Sequence, residues 1–236
     1  MFLAHYGVAM AAKGVSRRES LGSTVLAAQW LDLLWPILLL LGLERVRIVA
    51  GLMEASTLDF EHFPFSHSLL AVVAWALALG GLYFIITQRR RGAVVVGSLV
   101  LSHWLLDLLV HRPDLPLWPG SAVKVGLALW QSVAVTLVLE LGFLALGVLI
   151  YTRVTRPKDR TGSWGLWVMI VVLVAFFLSS FAGPPPSVSA LAIGGLALWA
   201  FVPWAYWIDL HRAPVTDTSS SRHPPIPERS FIPKGE

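Results

Sequence analysis

Residues 126–150 read GLALWQSVAVTLVLELGFLALGVLI, a stretch of 25 residues in which Glu140 is the single charged side chain. A helix of about 20 apolar residues is long enough to cross the hydrocarbon core of a bilayer. The stretch lacks the alternation of polar and apolar residues that lipid-facing strands require. It therefore predicts a membrane-spanning helix and excludes a strand of a closed β-barrel.

The rest of the chain extends this pattern to a polytopic helical membrane protein. Of its 236 residues 56% are hydrophobic and 14% charged, whereas a soluble domain carries roughly 25% charged residues. We expect an all-α bundle of about six transmembrane helices in one domain, residues 1–212, followed by a disordered cytoplasmic tail, residues 213–236. The predicted spans are 21–43, 66–87, 93–111, 126–150, 164–182 and 188–208.

Basic residues predict the orientation of the bundle. If the N-terminus is cytoplasmic, the opposite side holds four basic residues, Arg45, Arg47, Arg112 and Lys124. The cytoplasmic side then holds fourteen, Lys13, Arg17, Arg18, Arg89, Arg90, Arg91, Arg153, Arg156, Lys158, Arg160, Arg212, Arg222, Arg229 and Lys234. Cytoplasmic loops of membrane proteins carry such an excess. We therefore expect an inner-membrane protein of a prokaryote with both termini in the cytoplasm, and the net charge of +4 needs no nucleic-acid partner.

The first twelve residues, MFLAHYGVAMAA, are apolar but too short to cross a bilayer. No basic residue precedes them, so we do not expect a cleaved signal peptide. Two interpretations remain, a helix on the inner membrane surface and a half-helix that enters the membrane. Only the second would bring His5 into the bundle.

Three acidic residues, Asp32, Asp107 and Glu140, fall inside predicted spans. A charged side chain near the bilayer centre costs about 2.5–3.5 kcal/mol on insertion scales, so such residues are candidates for a functional site. They need cations, protons or a metal as partners. The chain has no cysteine, so a metal would be bound by histidine and carboxylate. We expect a helix–helix hydrogen bond for Glu140.

His103 and Asp107 lie four residues apart in LSHWLLDLLVHRPD, residues 101–114. On a helix they occupy one face about one turn apart, a spacing that suits two ligands of one divalent cation. A hydrogen bond between packed helices would explain the pair equally well. His111 follows one turn later.

Two more histidines, His62 and His67, precede the second span in EHFPFSHSLL, residues 61–70. Pro64 between them argues against one continuous helix, and Ser66 has the chemistry of an N-cap, which would place His67 in the first helical turn. A loop and a helix start can direct two ligands to one point. The alternative is a pair of histidines at the level of the lipid headgroups.

Four of these elements, in this order, resemble the membrane-bound metal-dependent hydrolase family, some members of which are labelled LexA-binding inner-membrane proteins. The motifs are AHYGVA with His5, QWLD with Asp32, HFPFSHS with His62 and His67, and SHWLLD with His103 and Asp107. The resemblance covers residues 1–120 and implies a metal site formed by these six residues. The HxxxD element is also similar to zinc ligation in phosphatidylcholine-type phospholipase C and related nucleases.

Two departures from the family pattern favour one metal over two. Trp30 stands where the family has its first acid, and Phe63 replaces the arginine that follows the first histidine of the third motif. Asp32 is then the only acid of its motif.

These residues together predict a membrane-embedded hydrolase that acts on a lipid-linked or amphipathic ester near the outer leaflet. A divalent metal, for which we expect zinc, would activate a water molecule. Asp107 and Glu61 are the predicted catalytic residues, and His111 is a second candidate for the general base. The alternatives are a transporter that uses the same cluster as a transit site and a protein in which the metal only holds helices together. Besides the lipid bilayer and a lipid-like substrate, no partner is predicted.

Overall fold

A computed structural model describes residues 1–215 and shows a bundle of α-helices with short antiparallel strand pairs at its two ends. The predicted tail therefore lies outside the described residues except at 213–215. The helices are α1 Leu3–Val15, α2 Leu21–Ala28, α3 Trp30–Leu40, α4 Leu69–Thr87, α5 Arg90–Val110, α6 Val133–Val154, α7 Arg160–Ser179, α8 Val188–Leu196 and α9 Phe201–Leu210. The strands are β1 Arg45–Ile48, β2 Leu58–His62, β3 Leu115–Pro116, β4 Lys124–Val125, β5 Thr155–Pro157 and β6 Arg212–Pro214.

Within residues 1–215, five stretches are long and apolar enough to cross a membrane, and a bent helix pair raises the number to six. The prediction of an all-α polytopic bundle is thus confirmed. The five are α4, α5, α6, α7 extended to Ala182, and α8 joined to α9 through the 3₁₀ turn Ala197–Ala200. Helix α6 begins seven residues after the start of its predicted span, because Gly126 and Ala128 have positive φ angles that a helix does not accept.

The first predicted span is broken into α2 and α3, which meet at an angle of 53°. The break lies at Gln29, which is fully buried and has φ −97° and ψ 1°. Pro36 lies further along α3, where it withholds one backbone hydrogen bond. The bend turns the first residues of α3, Asp32 among them, toward the centre of the bundle.

Helix α1 lies inside the bundle and packs most extensively against α6. The two helices approach closely where Gly7 faces Gly147, since a Cβ on either glycine would overlap backbone atoms of the other helix. Residues Leu3–Met10 of α1 are almost completely buried except Val8. The burial of α1 contradicts a helix on the surface of the bundle and agrees with a half-helix that brings His5 into it.

The start of α1, the bend before α3, the start of α4 and the end of α5 meet at one end of the bundle. The β1–β2 hairpin and the β3–β4 pair lie at this end, where Leu70 N donates to Leu117 O at 2.9 Å. At the other end, β5 pairs with β6 and the loop Thr87–Arg90 joins α4 to α5. The two ends carry different groups of polar side chains.

Candidate metal centre

Three histidines and two aspartates from four separate segments meet at the first of these ends. His5 comes from α1, Asp32 from α3, His67 from the turn before α4, and His103 and Asp107 from α5. The three histidines and Asp107 are at most 3% exposed. The side chain of Asp32 is 21% exposed. We call these five residues the His/Asp cluster.

Four distances between histidine nitrogens and aspartate oxygens of the cluster are close to the spacing of metal ligands. Nε2 of His67 lies 3.8 Å from Oδ1 of Asp32 and 3.5 Å from Oδ2 of Asp107. Nε2 of His103 lies 3.6 Å and 3.2 Å from the same two oxygens. Tetrahedral zinc with bonds of about 2.0–2.1 Å separates its ligand atoms by roughly 3.3 Å. Each of the four distances is therefore near the separation of two ligands of one divalent metal.

His5 approaches the other oxygen of Asp107. Its Nε2 is 3.2 Å from Oδ1, and its ring stacks on that of His103 with centroids 3.6 Å apart. The amino group of Met1 contacts the same oxygen. His5, His103 and Asp107 thus form one group that could hold a metal ion, and Asp32, His67 and His103 form another.

Hydrogen bonds outside the cluster orient the ring of His103 for metal binding. Its Nδ1 lies 2.7 Å from the carbonyl oxygen of Ala28 and donates to it, which leaves Nε2 as the unprotonated nitrogen. This Nε2 is buried and makes no hydrogen bond within residues 1–215. A buried polar atom without a partner is costly, and a metal ion at the cluster would satisfy it. The residues present therefore fit a divalent metal.

The ring of His67 is oriented in the same way through Ser66 and Glu44. The Ser66 hydroxyl donates to Oε2 of Glu44 at 2.6 Å, so its oxygen can accept from Nδ1 of His67 at 2.7 Å. Glu44 also accepts from the backbone N–H groups of Phe65 and Ser66, each at 2.8 Å. Burial raises the pKa of Glu44. These contacts direct Nε2 of His67 toward the two aspartates.

Ser66 therefore does not cap the second span, and that prediction is wrong. The N-cap of α4 is Ser68, whose hydroxyl accepts from Ala71 N at 3.3 Å. His67 lies before the helix, where its backbone carbonyl accepts from the indole N–H of Trp104 at 2.9 Å. The contacts of Ser66 are with Glu44 and His67, partners that an N-cap assignment does not suggest.

A cavity of about 430 Å³ opens onto the His/Asp cluster. Asp32, His67, Asp107 and His111 contribute to its polar wall. Most of the remaining wall is apolar, and α3, α7 and α8 contribute to it. The lining side chains include Trp35, Phe176, Phe177, Leu191 and Leu198. The cavity can therefore hold a molecule that is polar at one end and apolar along its length.

His111 lines this cavity next to the cluster and is oriented by Asp114. Its Nδ1 is 2.9 Å from Oδ1 of Asp114, and Nε of Arg112 lies 3.3 Å from the other oxygen of that carboxylate. The ring packs against Phe60 and Trp130 at centroid distances of 4.7 Å and 4.5 Å. A histidine held by a carboxylate at Nδ1 can use Nε2 to transfer a proton.

Glu140 holds the first turn of α1. Its carboxylate accepts from the backbone N–H groups of Phe2 and Ala4 at 2.8 Å and 2.9 Å. These are N–H groups for which a helix has no internal acceptor. Glu140 thus supports the turn that carries His5, through hydrogen bonds between two helices.

The other two predicted site residues lie elsewhere. His62 is exposed at the end of β2 and belongs to neither group that could hold a metal. Glu61 is 38% exposed, forms an ion pair with Nε of Arg47 at 2.8 Å, and does not line the cavity. The register of β2 against β1 is irregular beside Glu61, and Phe60 is buried while Glu61 is exposed.

Sequence reasoning passed over Glu44, Ser66 and Asp114. Asp114 had a signal in the sequence, since it follows His111 by three residues in a segment that ends α5. Glu44 had none, because it reaches Ser66 across 22 residues of chain.

Comparison with known proteins identifies the family of this chain. The family model described as "YdjM inner membrane protein" matches residues 3–183, which include the whole His/Asp cluster. No curated protein and no solved structure matches the chain.

Proposed function

This chain belongs to the YdjM inner membrane protein family, and from that premise we propose that it is a metal-dependent hydrolase of an amphipathic, lipid-linked phosphoester. The observation that supports the proposal is the position of the His/Asp cluster at the polar end of a largely apolar cavity. A phosphate group at the cluster would leave an attached hydrocarbon chain in apolar surroundings.

Asp32, His67, His103 and Asp107 would hold the metal, and His5 lies against the second oxygen of Asp107. We propose zinc, because imidazole nitrogen and carboxylate oxygen are both ligands that it accepts. When bound, such a metal lowers the pKa of a coordinated water toward neutrality and polarises a phosphoryl oxygen. Ala28 and Ser66 fix the ring orientations of His103 and His67, so that both present Nε2 to the same point.

His111 is our choice for proton transfer. It lines the cavity and is oriented by Asp114, whereas Glu61 is ion-paired with Arg47 on the outer face of β2. In this role the Nε2 of His111 would take a proton from the attacking water or give one to the leaving oxygen. Asp114 would keep the ring in the tautomer that this transfer needs.

The predicted orientation of the bundle supports a substrate in the outer leaflet. The end that carries the cluster contains Arg45, Arg47, Arg112 and Lys124, the few basic residues assigned to the outer side by the positive-inside rule. A headgroup phosphate at this end would lie near the membrane surface. The apolar wall formed by α3, α7 and α8 would accept its chain.

The test uses the purified full-length protein in lipid–detergent micelles with an extract of bacterial inner-membrane lipids. Metal per chain is measured by elemental analysis, and released phosphate headgroups are measured by mass spectrometry. The unmodified protein should retain a divalent metal and release headgroups. Joint replacement His103→Ala and Asp107→Asn should abolish both, while His111→Gln should keep the metal and lower turnover about 100-fold or more.

His62→Ala is the matched control, since His62 is exposed and outside the cluster. It should leave metal content and turnover unchanged. Metal content that survives the loss of His103 and Asp107 contradicts the proposed site. A stoichiometric metal without any headgroup release contradicts hydrolysis and favours a metal that only joins helices.

The broken span next to the cluster favours transport as the second candidate. Transporters often bind their cargo where a membrane helix is interrupted, and the 53° break between α2 and α3 lies beside Asp32. Proteoliposomes loaded with a zinc-sensitive dye distinguish the two functions. Zinc uptake that disappears in His103→Ala would assign transport, and headgroup release without zinc flux would assign hydrolysis.

A further inference from the structure

A second cavity of about 430 Å³ lies at the opposite end of the bundle from the His/Asp cluster. It is bordered by the end of α1, the loop before α5, and the β5–β6 pair. Five basic residues and one acidic residue line it, Lys13, Arg17, Arg18, Arg89, Arg212 and Asp209. We call it the basic cavity, and it has no part in the proposed function.

The one acid that lines the basic cavity is already engaged. Oδ2 of Asp209 lies 3.1 Å from Nζ of Lys13 and accepts from Leu21 N at 2.9 Å. Oδ1 of Asp209 accepts from the hydroxyl of Tyr151 at 3.2 Å. Asp209 therefore pairs with Lys13 and stabilises the first turn of α2, so that one carboxylate serves the five basic side chains of this wall within residues 1–215.

Two arginines of the basic cavity, Arg89 and Arg212, donate hydrogen bonds to neutral groups. Arg212 is 6% exposed and donates to Oγ1 of Thr155 at 3.0 Å and to the carbonyl oxygen of Gly162 at 2.8 Å. Nη1 of Arg89 donates to the carbonyl oxygen of Arg18 at 3.4 Å. Burial lowers the pKa of Arg212. Carbonyl and hydroxyl oxygens orient these guanidinium groups but do not balance their charge.

Glu19, another acid of residues 1–215 near this end, does not line the basic cavity. It is 2% exposed, and its carboxylate lies against Gly92 on α5. Within residues 1–215, the cavity wall therefore carries five basic side chains and one acidic side chain. Oxygen atoms of a phosphate group match the planar fork of donors that each guanidinium offers.

We propose that the basic cavity binds the phosphate of an anionic phospholipid headgroup, such as that of phosphatidylglycerol. The cavity lies where membrane helices end, so a headgroup can enter it while the acyl chains stay in the bilayer. Basic pockets at the cytoplasmic ends of membrane helices bind such headgroups, and the positive-inside rule assigns this end to the cytoplasm.

The experiment measures lipid retained by the full-length protein after delipidation and incubation with defined micelles of phosphatidylglycerol or phosphatidylcholine. The double variant Arg18→Gln, Arg89→Gln is compared with the control Arg90→Gln, Arg160→Gln. The control removes two exposed charges that do not line the cavity. Phosphatidylglycerol binding should fall about fivefold per cavity arginine, or roughly twenty-fivefold for the pair, and much less in the control.

Three results would overturn the proposal. Equal losses in the two double variants would mean that only the overall charge matters. Equal retention of both lipids by the unmodified protein would exclude an anionic headgroup site, and this result does not depend on any variant folding. Competition by inorganic phosphate at equal concentration would assign the cavity to a soluble phosphate rather than to a lipid.

Discussion

At the residue scale, the His/Asp cluster depends on hydrogen bonds made by the far side of each imidazole ring. His103 donates to a backbone carbonyl and His67 to a serine that is itself held by Glu44. Each bond fixes one tautomer and one ring orientation. Such preorganised rings bind a metal more tightly than free ones. The site therefore includes the hydrogen-bond partners of the two rings as well as the cluster itself.

Ser66→Ala should weaken metal binding without removing a ligand. The substitution leaves Nδ1 of His67 and one carboxylate oxygen of Glu44 without their shared partner, and the loss of such a group typically costs 10- to 100-fold in metal affinity. Competition with a chromophoric chelator measures the dissociation constant.

Ser102→Ala is the control for this change. Ser102 is adjacent to His103, but its hydroxyl donates to the backbone carbonyl of Leu99 at 2.7 Å and to no member of the cluster. Its metal affinity should equal that of the unmodified protein. If both serine variants bind metal equally well, Ser66 does not orient His67.

At the element scale, the packing of α1 on α6 delivers His5 to the cluster. Gly7 and Gly147 allow the two backbones to touch, and Glu140 binds the first N–H groups of α1. The interface depends on the absence of side chains at two positions and on one buried carboxylate. It is therefore sensitive to small changes.

Gly147→Ala should separate α1 from α6, because the added Cβ would overlap the carbonyl oxygen of Gly7. We expect a destabilisation of about 1–3 kcal/mol, typical of overpacking, together with weaker metal binding. Gly142→Ala on the same helix is the matched control, since a Cβ there meets nothing within 4 Å. Thermal unfolding and metal titration of both variants test this prediction. Equal stability and equal metal affinity of the two variants would contradict the close contact between α1 and α6.

The helices and strands also show which features of the fold can be predicted from the sequence. Apolar length predicts the spans, and the spacing of His103 and Asp107 puts both on one helical face. The break at Gln29 is not encoded by a proline or glycine at that position, so Asp32 was expected on a continuous helix. The outward orientation of Glu61 and His62 depends on the pairing of β2 with β1, a contact between strands that local sequence does not reveal.

At the scale of the whole molecule, the bundle has little interior of its own. Between 17% and 44% of each long span is buried inside the protein, and the remaining surface carries exposed leucine, isoleucine and valine suited to lipid. The His/Asp cluster draws its residues from α1, α3, α5 and the turn before α4. A metal bound there would therefore stabilise the contacts between these four segments.

Chelation of the metal should therefore lower the unfolding temperature of the purified protein. A ligand that binds only the folded state stabilises it by about 4 kcal/mol at 1,000 times its dissociation constant. We expect a fall of several degrees on adding a strong chelator, measured by intrinsic tryptophan fluorescence. Asp107→Asn should unfold at a lower temperature and show no further fall. An unfolding temperature that does not respond to chelation in the unmodified protein would contradict a metal that joins these segments.

The contact between α1 and α6 also sets an order of events during synthesis. His5 is made near the beginning of the chain, but the helix against which α1 docks begins at Val133. When α1 leaves the ribosome, neither Gly147 nor Glu140 exists to receive it. The His/Asp cluster can therefore be completed only after α6 has been made, so that it could hold a metal only once most of the protein has been inserted.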